Sequence, residues 1–505
     1  MLKNLQTITF FIIVAVFCQI TEIQADVSLP AVFGDNMVLQ RDLPNPVWGK
    51  ADPDEEITVS IAGQVKKTTA NTDGKWLVEL DPLKTGDVLV LTVKGKNVIQ
   101  FKNVLVGEVW VCSGQSNMFF TVARGNDAEK EIAAADYPNI RLLKVSQHAA
   151  KEPQDNFEGK WELCSPQTVS TFTAAGYFFG RNLHKELNGI PIGLIQSAWG
   201  GSSCEAWIPQ NVIESDTDAQ SFALRHKNFE RQKENSTKRS NNTAQNNRQR
   251  PAGIKQHQLS SLLYNGMIHP FERFGIRGVI WYQGEANATR AYQYRRIFPL
   301  LIQSWRNVWR QGDFPFYYVQ LANFRKISEQ PSESAWAELR EAQNLTLSVT
   351  NTGQAVAIDI GEADDIHPKN KQEIGRRLAL WALAKDYGKK DIVFSGPVYQ
   401  SFQIDGNKIV LTFEQPDNDL TAKGLTIKGD QLKGFAIAGE DKKFVWADAK
   451  IVGQTIEVSA EGIDKPIAVR YGWGDNPVVN LYNNAGLPAS PFRTDHWQGI
   501  TVNAK

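Results

Sequence analysis

A mixed α/β protein, with a parallel sheet in mid-chain and an all-β segment on either side, is predicted by two features of the sequence. Residues 104–392 alternate short, almost wholly apolar runs with longer amphipathic stretches, the rhythm of strands buried on both faces between covering helices. Residues 26–103 and 393–505 instead carry short strand-like runs separated by Asp, Asn, Gly and Pro turns. At 505 residues the chain exceeds what one core supports, so three folded domains are expected.

Residues 1–25 read as a signal peptide. Lys3 precedes an apolar run at 8–16 that is shorter than the roughly 20 residues of a membrane span. Ala25 supplies the small residue before cleavage, so the mature chain is expected to begin near Asp26 and to be exported, periplasmic or secreted. Cys18 follows bulky Phe17, which argues against lipoprotein processing, and no later run is long enough to span a bilayer.

In the first β domain, residues 46–49, 57–61 and 88–93 are strand-like, and Pro46, lacking an N–H, belongs at a strand start or a sheet edge. A small antiparallel sandwich is the expected form. In the α/β domain, strands are expected at 104–112, 139–145, 190–197, 276–282, 314–321 and 355–359. Helical spacing marks 171–187, 292–309, 335–347 and 371–387. Polar residues 225–256 read as an exposed insertion, partly helical. Residues 406–413 and 467–473 are strand-like runs of the C-terminal β domain.

Lys plus Arg and Asp plus Glu balance at 55 each, which gives no electrostatic reason to expect nucleic acid as a partner. Beyond the leader only Cys112, Cys164 and Cys204 remain, enough for one disulfide and a free thiol but not for a disulfide framework. No CxxC or HExxH occurs and the 7 His are scattered, so neither a metal nor a cofactor is expected. Sequons stand at Asn235, Asn241, Asn287 and Asn344.

Chemistry concentrates at four strand ends, where parallel sheets bind ligands. The run 107–112 ends in Ser113-Gly114-Gln115-Ser116-Asn117, a sharp polar turn before Met118. Acyl-transfer enzymes put a nucleophile in such a place; an ordinary helix cap fits the same residues. It is not a G-x-S-x-G elbow. After the run 190–197 come Trp199, Gly200 and Gly201, and glycines there let backbone N–H groups approach an oxyanion. After 279–282, Gln283 offers an amide donor, and Glu285 a carboxylate to order the site or bind hydroxyls. After the last strand, His367 offers a base, with Asp364 and Asp365 both near enough to orient it. The alternative for residues 364–368 is an acidic helix start. Four strand ends with complementary parts of one reaction favour the enzyme over these bland readings.

The blocks 107–118, 199–202, 281–287 and 365–371, with 264–268 and 486–493, resemble the sialate O-acetylesterases, a branch of the SGNH hydrolase superfamily. The resemblance runs over nearly the whole mature chain. It implies a flavodoxin-like SGNH catalytic domain, with Ser116 as nucleophile, His367 as base, and Asp364 or Asp365 as its partner. The oxyanion hole would use Ser116 with Gly200 or Gly201. The superfamily's usual asparagine donor is replaced by Gln283. Substrate contacts are expected from Gln115, Asn117, Trp199, Glu285, Asn287 and Arg340, the last for a sugar carboxylate. The implied activity is hydrolysis of O-acetyl esters on sugars, with 9-O-acetyl sialic acids foremost and xylan-type polysaccharides as the alternative. A non-catalytic glycan-binding protein with a degenerate core is the other class, and a metal-dependent deacetylase is opposed by the missing ligand pattern.

Overall fold

The computed structural model describes residues 26–240, 255–414 and 424–504, so the expected signal peptide and part of the polar insertion lie outside the described residues. A largely parallel central sheet is built around one long strand, β1 (Val98–Gly114). The other strands are β2 (Tyr137–Lys144), β3 (Trp161–Cys164), β4 (Ile192–Ala198), β5 (Gly278–Tyr282), β6 (Phe316–Val319) and β7 (Thr352–Ala355). Their spatial order is β7-β6-β5-β1-β4-β2-β3. Neighbours are parallel except at the β3 edge, which pairs antiparallel with β2. That edge strand escaped the sequence because four residues make too short a run to show a period.

β1 has two characters, and its sequence explains both. Residues 98–103 alternate exposed and half-buried positions and pair antiparallel with Leu89–Lys94 of the N-terminal β part. From Val104 onward every residue is buried, as a central parallel strand requires. Val38–Gln40 pairs beside Leu105–Gly107 before β4 and β5 take over. The strand therefore runs unbroken through the position expected to divide two domains.

Alternate residues of β1 feed two cores. Val109 and Val111 join Trp281, Phe298, Trp305 and Leu339 on the face covered by α3 (Ala291–Trp309) and α4 (Ala335–Leu345). Trp110 and Cys112 join Ile280, Phe178 and Leu378 on the face of α2 (Ala174–Glu186) and α5 (Lys371–Lys385). α2 and α5 touch closely: a Cβ on Gly375 would stand 2.5 Å from the Phe178 Cβ. The earlier apolar strand runs were thus read correctly, but the last was not: the strand is Thr352–Ala355 and meets the expected 355–359 only at Ala355. Beyond it the Val356 carbonyl and the Asp359 carboxylate both turn to the Arg377 guanidinium, leaving the ladder.

N-terminal to β1, Asn45–Lys50 pairs with Lys75–Leu80, and Glu56–Ile61 with Gln64–Thr69. C-terminally, Val398–Asp405, Lys408–Glu414, Thr455–Ser459 and Asp448–Val452 form one antiparallel sheet, and Phe435–Ala438 is central to another. Their shared core holds Ile409, Leu411, Phe435, Ile437, Val469 and Tyr471. Helix Gln220–Ser240 opens the polar insertion. Cys112, Cys164 and Cys204 are all buried free thiols, so the disulfide allowed by their number is not formed. Among the described residues no helix is long and apolar enough to cross a membrane.

Candidate active site

Three turns leave the sheet at one level, because Gly114 of β1 lies opposite Ala198 of β4 and Tyr282 of β5. Gly114 has φ 133° and a Cβ there would meet the Tyr282 carbonyl oxygen at 2.3 Å, so only glycine fits the bend. The Gln115 amide then donates to the Tyr282 carbonyl at 3.0 Å, and α1 (Ser116–Phe119) begins. Ser116 is half-buried, and its hydroxyl has no hydrogen-bond partner among the described residues.

Against this serine lies the Trp199 turn. Trp199 donates its amide to the Gly114 carbonyl at 3.1 Å, and a Cβ on Gly200 would sit 3.5 Å from that of Ser116. Gly201 adopts φ 74°, the left-handed region that glycine takes without strain. The Gly200 backbone and Ser116 are therefore neighbours, as the sequence suggested.

His367 arrives on the loop before α5. Its Nδ1 lies 3.1 Å from Asp365 Oδ1, which also accepts the His367 backbone N–H at 2.9 Å. Asp364 is exposed, and of the two carboxylates it is Asp365 that meets the His367 ring. Burial holds the imidazole below its usual pKa, against the upward pull of Asp365. Burial works the other way on Asp365, yet the two bonds from His367 keep that carboxyl below its usual range. The ring stacks on Phe120, centroids 6.3 Å apart.

Asn117 ties the serine turn to the histidine loop. Its amide donates to the Ile366 carbonyl at 3.0 Å and to Glu285, and its oxygen accepts from Lys371 Nζ at 2.6 Å. Fully buried and fully used, it is a bracket and not the substrate contact expected from its position. Gln115 is likewise buried, its oxygen accepting from the Gly284 and Ala286 amides. One oxygen of Glu285 meets Asn117, and the other is buried without a partner among the described residues. Burial raises its pKa.

Three further expectations are corrected by what the side chains hold. Gln283 spends its amide on the Ser202 carbonyl (3.2 Å) and Asn287 (2.7 Å), and accepts from Tyr294, so it has no donor left for an oxyanion. Asn287 is buried between Gln283, the Cys204 amide and Glu205, and that sequon is closed in the folded chain. Arg340, completely buried, donates to the carbonyls of Leu321, Ala322, Gly474 and Asp475 and is unavailable to a sugar carboxylate. Trp199 stays half-exposed, stacked 5.1 Å from the His257 ring.

The structure adds two cations that the sequence did not mark. Lys371, first residue of α5, is buried with Nζ 4.8 Å and 4.9 Å from the Phe120 and Tyr282 ring centroids. Burial lowers its pKa to about 7, against the pull of Glu285. A lysine in the first turn of a helix runs against the macrodipole, and that misplacement is the signal that could have drawn attention to it. Exposed Arg124 stacks over Phe120 at 4.5 Å and lies near enough to His367 to depress its pKa. Among the described residues no group of three His, Cys, Asp or Glu converges on a metal position.

Comparison with known proteins gives this geometry a family. The model of a carbohydrate esterase family, sialic acid-specific acetylesterase, matches residues 106–236 and 251–384, which contain Ser116, Gly200, Asp365 and His367. The chain is 30% identical to mouse sialate O-acetylesterase over 92% of this chain and 93% of that one. It is 31% identical to the human sialate O-acetylesterase, covering 91% and 90%. A crystal structure of a carbohydrate acetylesterase from Xanthomonas citri superposes with a TM-score of 0.81 at 39% identity, covering 93% of this chain and all of that one. The chain therefore belongs to the sialic acid-specific acetylesterase family of carbohydrate esterases and is an esterase of carbohydrate O-acetyl groups.

Proposed function

We propose that the protein is an SGNH-type serine esterase that removes O-acetyl groups, 9-O-acetyl groups of sialic acids foremost, through an acetyl-serine intermediate. The observation that carries this reading is the Asn117 bracket, which joins the turn bearing Ser116 to the loop bearing the His367–Asp365 pair. Ser116 Oγ attacks the acetyl carbonyl carbon. His367, with Nδ1 turned to Asp365, takes the serine proton on Nε2. The backbone N–H groups of Ser116 and of Gly200 or Gly201 receive the oxyanion. Collapse breaks the ester C–O bond and His367 returns the proton to the sugar oxygen. Water then attacks the acetyl-serine with His367 as base, releasing acetate. No hydrogen bond joins Ser116 to His367 among the described residues, which the scheme allows, since such bonds commonly close only around substrate.

Asp365→Asn is expected to lower kcat for an aryl acetate by about 10²–10⁴-fold. The carboxylate stabilises the imidazolium, so its loss also lowers the His367 pKa and moves the acid limb of kcat/KM to lower pH. Asp364→Asn leaves both within twofold. A pH-rate series on the two variants checks this, and the opposite ranking removes Asp365 from the scheme.

The preference for sialic acid is supported by the named relatives and by Arg124, an exposed guanidinium beside His367 able to meet a sugar carboxylate. Acetate release from 9-O-acetylated sialyllactose and from acetylxylan tests it. Arg124→Ala is expected to cost at least about tenfold in kcat/KM on the sialoside, the weight of one charge-assisted contact, and to spare the aryl acetate. Faster release from acetylxylan, indifferent to Arg124, transfers the assignment to plant polysaccharide.

A further inference from the structure

The loop between β6 and α4 leaves the same rim of the sheet as the candidate active site, and it forms one wall of a cleft of about 320 Å³. The other wall belongs to the C-terminal β part. A volume of this size lies at the lower end of ligand sites, roughly 300–1,000 Å³. Three large apolar side chains that would ordinarily be covered surround it: Ile327, Trp446 and Val478, at 59, 42 and 46% exposure. Trp446 is pinned, its indole N–H donating to the Glu329 carbonyl at 2.8 Å, so the ring is held open to the cleft instead of folding onto the core. Trp473 lines the same space, 8% exposed, and its buried indole N–H has no partner among the described residues. Arg470 and Arg493 lie 4.9 and 5.1 Å over its ring and fix it in place.

The polar side of the lining carries one exposed cation, Lys433, and is otherwise neutral in character. Asp475 is already engaged by Ser334 and Arg325, and Asn476 by Asn323 and the Arg325 carbonyl. The carboxamides of Gln330 and Gln431 are exposed at its edge. Fixed indoles beside free amides match the two sides of a pyranose, whose C–H face is apolar and whose rim carries hydroxyls. A basic peptide would find no matching field beside Lys433. The cleft is also joined to the chemistry: Phe324 donates its amide to the Asp475 carbonyl, Arg325 its amide to the Ala363 carbonyl, and the Gly361 amide reaches Asn323. Residues 361–363 lead directly into Asp365 and His367.

We propose that this cleft is a glycan subsite, binding the pyranose chain beyond the acetylated residue through Trp446, Trp473, Gln330 and Gln431. The proposal rests on the reading that Ser116 and His367 are the catalytic pair, whose own failure is visible separately as aryl acetate turnover surviving in Ser116→Ala.

The test is a KM-against-kcat comparison of wild type, Trp446→Ala and Gln330→Ala on 4-nitrophenyl acetate, acetylated xylose, acetylated xylohexaose and 9-O-acetylated sialyllactose. The expected result is a rise of at least fivefold in KM for an oligosaccharide in both variants, with kcat retained and the two small acetates unaffected. A rise confined to xylohexaose or to sialyllactose identifies which glycan supplies the chain; either supports the subsite. Unchanged KM on both oligosaccharides overturns it and leaves the cleft to a peptide or another occupant. An equal loss on the aryl acetate overturns it too, by making Trp446 a structural support of the histidine loop.

Discussion

Replacing Ser116 with alanine is expected to lower kcat/KM for an aryl acetate by at least about 10⁴-fold, close to loss of measurable turnover. The size follows from what is removed: without Oγ no acetyl-enzyme forms, and the His367–Asp365 pair has no proton to take. The residual rate comes only from backbone donors and substrate positioning. Stability should not change, because the Ser116 hydroxyl holds no partner among the described residues and is half-exposed, so thermal unfolding should shift by no more than about 0.5 kcal/mol equivalent. An organophosphonate adduct found on Ser116 in the wild type and missing in the variant identifies the same atom by mass. A folded Ser116→Ala enzyme with full turnover would falsify the serine mechanism.

Arg340→Met is expected to destabilise the protein by at least about 3 kcal/mol, which for a chain of this size is a fall in Tm of about 3 °C or more. The guanidinium is completely buried and answers four backbone carbonyls, two from the stretch after β6 and two from the C-terminal β part. Methionine keeps much of the volume but leaves those carbonyls dry and unpaired. Lysine would not rescue it, since one ammonium cannot reproduce the planar fork. Differential scanning calorimetry and acetate release separate this role from the one the sequence suggested. A substrate-binding arginine would lose sialoside affinity at unchanged Tm; a structural one loses Tm first.

The contrast between Arg340 and Ser116 shows what the sequence could and could not convey. The apolar runs that became β1, β4, β5 and β6 were legible because a strand buried on both faces must be apolar throughout. Their ends were legible too, which brought Ser116, Gly200 and His367 to one rim. Side-chain direction was not. Gln283, Asn287 and Asn117 sit within a few residues of strand ends and Arg340 in the helix after one, where a polar group can face substrate or satisfy the protein's own buried backbone, and both outcomes use the same letters. Lys371 was hidden for another reason: lysine is rarely buried, so a helix-opening lysine reads as solvent-exposed until packing against Phe120 and Tyr282 is seen. The Trp446 cleft joins residues over a hundred positions apart, beyond any local pattern.

The unbroken course of β1 makes the N-terminal β part a gauge for the reacting atom. Because one strand runs from Val98 to Gly114, its pairing with Leu89–Lys94 and Val38–Gln40 sets how far the chain has advanced when it reaches Ser116. A slip of one residue would move the hydroxyl by roughly 3.3 Å and exchange the faces of every side chain on the strand. Trp110 and Val111 would then trade cores of quite different shape, and the Gly114 bend would fall on Ser113 or Gln115, neither of which fits beneath the Tyr282 carbonyl. The calibration of the active site is thus carried out at the far end of the strand, in pairings remote in sequence from the turn that bears Ser116.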